Sequence, residues 1–188
     1  MRTKEDRRVK FTKLVLREAL LDLLKEKSIN QISVAELCRL ADVNRNTFYS
    51  HYNGPYEILN VIENEMFEEL AIAIENLENV ENIILVACRT LERNAKASKL
   101  IFSEGSMRNI LLKALQLVKE KQYNTVTYNR MSKTDLELAE KVYLFNESGT
   151  IALINDWIKN DFREPVESVA KTITLFVNNI NILFAGKI

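Results

Sequence analysis

Glycine and proline are scarce in this sequence, which has only four of the first and two of the second in 188 residues. It contains no glycine loop of the phosphate-cradling kind, and no segment alternates apolar and polar residues between turn signals, so strands are not expected. Histidine occurs once, as His51, and cysteine twice, as Cys38 and Cys88, each inside an apolar, helix-like stretch. That supply excludes a disulfide framework, a Cys/His metal site and a nucleophile elbow with a histidine partner. The two thiols read as small buried residues, and neither an enzyme, a cofactor nor a metal is expected. No apolar run approaches the roughly 18 residues that a membrane span needs, and the first residues lead into charge rather than into a signal-peptide core. A cytoplasmic protein without membrane contact is expected.

Hydrophobic residues make up 47% of the chain, enough for a substantial core without staples. Lys/Arg and Asp/Glu balance at 26 each, but unevenly. Residues 1–52 carry 11 Lys/Arg against 7 Asp/Glu, and the remainder 15 against 19. No basic residue lies between Arg45 and Arg89, whereas Glu57, Glu63, Glu65, Glu68, Glu69, Glu75, Glu78 and Glu81 all do. A polyanion would attract the first stretch and repel the second.

The periodicity is helical throughout, so the expected class is all-α. A first helix is expected over about residues 8–27, from the spacing of Leu16, Leu20, Leu23 and Leu24. Ser33-Val34-Ala35-Glu36 has the form of a capping box opening a short helix to about residue 40. Asn44 is a good N-cap for a third helix ending near Tyr49 or Ser50. Gly54-Pro55 starts a long helix, proline being free of penalty in a first turn. Helices are expected near 81–95, 98–103, 106–121, 133–160 and 165–184, with a polar loop around 123–130. The division is a three-helix domain over residues 1–53 and a helical domain over 54–188.

A helix that reads DNA has to be short, seated by a preceding helix and lined with small or hydrogen-bonding side chains. Residues 33–52 meet those requirements. Val34, Leu37 and Cys38 face inward, the turn centres on Asp42, and Arg45, Asn46 and Thr47 open the next helix. Arginine matches guanine bidentately, asparagine matches adenine, and the threonine methyl matches that of thymine. The run from Ile32 to Tyr52, with its Ser-Val start, Ala-Asp-Val turn and Thr-Phe-Tyr-Ser-His-Tyr ending, resembles the helix-turn-helix signature of TetR-family regulators over about residues 8–70.

The resemblance implies a bacterial, dimeric transcriptional regulator whose N-terminal domain binds double-stranded operator DNA and whose C-terminal helices bind a small effector or a protein partner. Carried over by position, it places Ser33 and Tyr49 on phosphate, Arg45, Asn46 and Thr47 near bases, and His51 at the phosphate edge. Phe48 and Tyr52 fall in the core. Three positions depart from the family pattern. Asp42 replaces the glycine of the turn, Ser28 stands where a helix-ending glycine is frequent, and Gly54-Pro55 replaces a cap and a phosphate-gripping lysine. Backbone N–H groups at that helix start can still meet phosphate, but one cation is missing. Arg2, Lys4, Arg7 and Arg8 form either a basic arm or a solvated terminus.

The later residues Phe145-Asn146-Glu147-Ser148-Gly149, with Ile154, Trp157 and Ile158, are similar to a TetR subgroup that includes dihydroxyacetone-kinase regulators. Some of those activate, so the resemblance leaves open whether this chain is a repressor or an activator. Tyr123, Tyr128, Tyr143, Asn146 and Trp157 are candidates for an effector pocket. Gly149, Ile154, Ile158, Ile173, Phe176 and Ile180 are candidates for a homodimer interface, because the last helix carries a wider apolar stripe than one neighbour needs. The alternative to a DNA-reading regulator is a helical protein-interaction module that no longer reads DNA.

Overall fold

In a computed structural model, residues 4–77, 79–103, 105, 107–123 and 131–185 are described, and their regular structure is entirely helical. The chain divides into two compact units, Met1–Glu65 and Met66–Ile188. The division falls twelve residues beyond the expected one, inside a helix.

The first unit begins with α1 (Lys4–Leu23). This helix stops earlier than the leucine spacing suggests because its last turn tightens: Lys25 N–H donates to the Asp22 carbonyl at 3.2 Å and Glu26 N–H to that of Leu23 at 3.1 Å. A single 3-10 turn, Ile29–Gln31, leads to α2 (Val34–Ala41) and then α3 (Arg45–Tyr49). The unit is completed by the start of α4 (Pro55–Asn76). Leu16, Leu20, Leu37, Phe48, Ile58 and Ile62, drawn from all four helices, are at most 1% exposed. They form one core.

The second unit contains the rest of α4, followed by α5 (Val80–Arg93), α6 (Ala95–Ser103), α7 (Met107–Tyr123), α8 (Lys133–Lys159) and α9 (Val166–Ala185). Helix α9 packs on α5 and α8, and α8 also packs on α6 and α7. Leu70, Leu91, Ile101, Met107 and Ile151 are fully buried at the centre. Helix α4 has no basic residue in its last turn. Its open carbonyls are met instead by Lys121 of α7, whose Nζ donates to Ile74, Glu75 and Leu77 at 2.9, 3.1 and 2.8 Å.

The corner between α8 and α9 is tight. Asp161 and Phe162 both adopt left-handed backbone, with φ of 61° and 55°, a conformation that disfavours side chains with a Cβ. Local bonds hold it there. Trp157 Nε1 donates to the Glu164 carbonyl at 2.8 Å, the Phe162 ring meets Trp157 edge-on at 4.7 Å, and Lys99 pairs with Asp161 at 2.8 Å. Both cysteines are buried, and burial raises both thiols, Cys88 to about 12, so each stays protonated and unreactive near neutrality.

Among the described residues, no helix is long and apolar enough to cross a membrane. The core assignment makes a direct prediction. Ile101→Ala should lower unfolding stability by about 2–5 kcal/mol, whereas Ile72→Ala, at a residue 60% exposed, should stay within about 0.5 kcal/mol. Chemical denaturation of both variants measures the contrast.

Candidate nucleic-acid interface and helical cavity

Helix α2 starts at Ser33, whose Oγ accepts from Glu36 N–H at 3.2 Å. The return arm of the expected capping box is not made, because the Glu36 carboxylate is held by Lys27 Nζ at 2.6 Å to each oxygen. A return bond occurs one element earlier, where Ser28 N–H donates to Gln31 Oε1 at 3.2 Å. Asp42 ends α2 in the left-handed region, at φ 52° and ψ 44°. Val43 N–H then reaches the Cys38 carbonyl at 3.0 Å and Asp42 N–H that of Arg39 at 3.5 Å, the paired bonds that close a helix in a Schellman turn. Aspartate therefore takes the left-handed position that glycine holds in the signature this run resembles.

Asn44 caps α3, its Oδ1 accepting from Asn46 N–H at 2.8 Å. Five residues are too few for an autonomous helix. Phe48 seats it, with no exposed surface, its ring 5.4 Å from that of Tyr49 and 6.0 Å from that of Tyr52. With Phe48 turned inward, Arg45, Asn46 and Tyr49 are exposed and Thr47 is half-buried. Among the described residues Arg45 makes no ion pair. Ser33 is exposed and His51 half-buried beside this helix. Tyr52 is core; burial first, and then the carboxylates of Glu65 and Glu57, raise its hydroxyl above the usual phenol range, against the lowering effect of Arg17. Arg7 and Arg8 are exposed on α1, and Arg2 lies outside the described residues.

At the start of α4 the structure adds a group that the sequence reading missed. Glu57 folds back so that its Oε2 accepts from Asn53 N–H at 2.6 Å and from Asn53 Nδ2 at 2.9 Å. A carboxylate thus occupies the helix end where backbone N–H groups were expected to meet phosphate. Glutamate two residues after a helix-opening proline was the available signal.

The second unit contains a cavity of about 120 Å³, lined from α4, α5, α7, α8 and α9. Of the five pocket candidates, Tyr143 and Asn146 line it, Tyr123 closes α7 and Tyr128 lies outside the described residues. Trp157 does not line it: its ring is 4% exposed and its N–H is committed to the Glu164 carbonyl. Glu147, Thr150 and Asn181 complete the polar part of the wall. Tyr143, Asn146, Glu147 and Thr150 follow the i, i+3, i+4, i+7 spacing of one helix face, a pattern visible in sequence only once α8 is placed. Burial, and then the Glu147 and Glu140 carboxylates, push the Tyr143 hydroxyl well above its usual range. Glu147 acts on this hydroxyl both through its charge and as a hydrogen-bonding neighbour, although by distance and angle the hydroxyl completes no hydrogen bond among the described residues.

The interface candidates separate. Ile154, Ile158 and Ile173 are at most 4% exposed within the single chain, so they belong to its own core rather than to a partner-facing surface. One side of each helix is consumed by intrachain packing. Gly149 and Phe176 are exposed and Ile180 is half-buried, around a groove of α8 and α9 that also includes Phe145, Ala152 and Leu153.

The missing cation at α4 can be tested by restoring it. Pro55→Lys should strengthen DNA binding and steepen the dependence of log K on log salt by about one phosphate contact, read from titrations at several salt concentrations.

Comparison with known proteins identifies the family and the fold. A TetR-type family model described as "Transcriptional regulator C-terminal region" matches residues 78–179. The HTH-type dhaKLM operon transcriptional activator DhaS of Lactococcus lactis subsp. lactis (strain IL1403) is 29% identical over 84 residues, 45% of this chain and 45% of that protein. The alignment therefore spans less than half of that relative. Among solved structures, the dihydroxyacetone kinase operon activator DhaS superposes with a TM-score of 0.61 at 22% identity, covering 91% of this chain and 97% of that one. A TetR transcriptional regulator from Streptococcus agalactiae 2603V gives 0.62 at 21% identity, covering 92% and 97%. These two share the fold, and the matched relatives are regulators rather than enzymes. With the family model spanning more than half of its residues, the chain belongs to the TetR family of transcriptional regulators.

Proposed function

We propose that this regulator binds a pseudo-palindromic operator as a homodimer, reading bases with α3, and that a small molecule in the cavity of the second unit alters its DNA affinity. The observation that carries the DNA reading is the division of α3. Phe48 is wholly buried, while Arg45, Asn46 and Tyr49 of the same five-residue helix are exposed. A solvated bundle helix gives no reason for a guanidinium, an amide and a phenol to be held together on a capped turn.

Arg45 and Asn46 match base edges, and Thr47 approaches a thymine methyl. Ser33 and Tyr49 contact phosphate, with His51 at its edge. Glu57 and Pro55 weaken the phosphate grip at α4, so this reading leans on base contacts more than on charge. The same two residues favour the second reading, a helical interaction module that no longer reads DNA. Retarded migration of genomic fragments that fades as salt rises would decide for the regulator.

The homodimer rests on the outer sides of α8 and α9. Leu144, Phe145, Leu175 and Phe176 are each more than half exposed, and Phe145 and Phe176 line the groove that holds Gly149 and Ile180. Exposed apolar side chains around an apolar groove support a protein-protein interface there. Two copies joined there about a two-fold axis would present two α3 helices to half-sites about 34–36 Å apart. Effector binding would then change operator affinity by favouring one dimer state over another.

Two outcomes are expected. Arg45→Ala should cost about 1–3 kcal/mol on the selected operator and relax preference at one base position, whereas Tyr49→Phe should weaken all sequences evenly. Unchanged specific binding by Arg45→Ala would remove α3 as the reading helix. Phe176→Glu combined with Ile180→Glu should give helical monomers with reduced operator affinity, since the second head no longer adds avidity. Sedimentation velocity showing an intact dimer would rule out this face.

A further inference from the structure

The wall of the cavity in the second unit is divided by chemistry. Helices α4, α5 and α7 contribute only apolar side chains to it, Ile74, Ile83, Leu111 and Leu115 among them. All of its polar side chains come from α8 and α9. Among the described residues lining it, Glu147 is the sole charged one, and none is positive. Glu147 is half-buried and makes no ion pair among the described residues. Two cations lie close by, and both are otherwise engaged. Lys119 pairs with Glu140 at 2.7 Å, its Nζ 4.7 Å from the centre of the Tyr143 ring, and Lys121 is bound to three carbonyls at the end of α4.

Two further polar atoms in this wall are unsatisfied. Among the described residues the Tyr143 hydroxyl and Asn146 Oδ1 are buried and complete no hydrogen bond by distance and angle, although Glu147 neighbours the hydroxyl and Asn146 Nδ2 donates to Asn181 Oδ1 at 3.2 Å. Groups left in that state are costly unless something else meets them. A half-buried carboxylate with no counter-ion, next to an unused amide oxygen, favours a ligand that brings positive charge and N–H donors. The same carboxylate opposes an anionic head group, and the two lysines nearby are already paired elsewhere. The volume, about 120 Å³ against the roughly 10–15 Å³ that one water-sized centre occupies, sets the size at about eight to twelve non-hydrogen atoms.

We propose that the cavity selects a small amphiphilic amine, its ammonium group held by Glu147 and Asn146 and its alkyl chain lying among Ile74, Ile83, Leu111 and Leu115. This rests on the reading of the cavity as an effector site and adds the chemical class. Tyr143, whose ring already carries the Lys119 ammonium, supplies its hydroxyl beside the head group. Thr150 and Asn181 bound the polar end.

The test is calorimetric titration of the full chain at neutral pH with three probes of nearly equal size: octylamine, 1-octanol and octanoate. Octylamine should bind at least about tenfold more tightly than 1-octanol, and octanoate should bind more weakly than either. In Glu147→Gln, an isosteric change on a partly exposed helix face, the ratio of amine to alcohol affinity should collapse toward one. Equal affinities for amine and alcohol, a preference for octanoate, or a ratio unaffected by Glu147→Gln would overturn the amine assignment and leave the effector reading standing. If none of the three saturates, the effector reading itself falls, and the amine assignment with it.

Discussion

The exposed polar face of α3 depends on the burial of one ring. Helix α3 is five residues long, far below the length at which a helix forms alone. It persists because Phe48 is fully enclosed by the core of the first unit and because Asn44 satisfies an N–H at its start. Once Phe48 points inward, the 3.6-residue period leaves Arg45, Asn46 and Tyr49 facing out. Their exposure follows from the anchor.

The turn before that helix shows how a departure from a family pattern can be absorbed. A glycine would enter the left-handed region freely, and Asp42 does so at a cost that its short polar side chain keeps small. Two backbone bonds to α2 close the turn around it. The departure at Pro55 is of another kind. It brings no cation, and the Glu57 carboxylate accepts from Asn53 at the same helix end.

In the second unit, apolar surface is divided between inside and outside. Helix α9 buries Val166, Val169, Ala170 and Ile173 in its first half and exposes Leu175 and Phe176 after them. The same helix therefore serves the chain's own core at one end and offers an apolar face at the other. Helix α8 is divided by face as well. It presents Ile151 and Ile158 to the core, the Tyr143–Thr150 face to the cavity, and Leu144 and Phe145 to solvent. That three-way division gives one helix a core side, a cavity side and an exposed apolar side.

Much of this was readable from residue order alone. The all-helical class, the nine helices of the described chain and the short capped helix α3 among them follow from periodicity, caps and a helix-turn-helix run in which each local signal agrees with the next. Cap and turn signals are local, so they survive without knowledge of neighbours. Which apolar residues face a partner is a different question, since Ile154, Ile158 and Ile173 carry the same period as Phe176 and Ile180 and only the packing of α9 on α5 and α8 separates core from surface. Trp157 belongs at the α8–α9 corner for the same reason: an indole N–H commits to whichever acceptor the fold brings near, here the Glu164 carbonyl. The sequence by itself determined the helices, their caps and the chemistry of α3, because those depend on contacts a few residues apart. Tertiary structure decided the cavity, its solitary carboxylate and the exposed apolar side chains, because burial is set by elements distant in the chain.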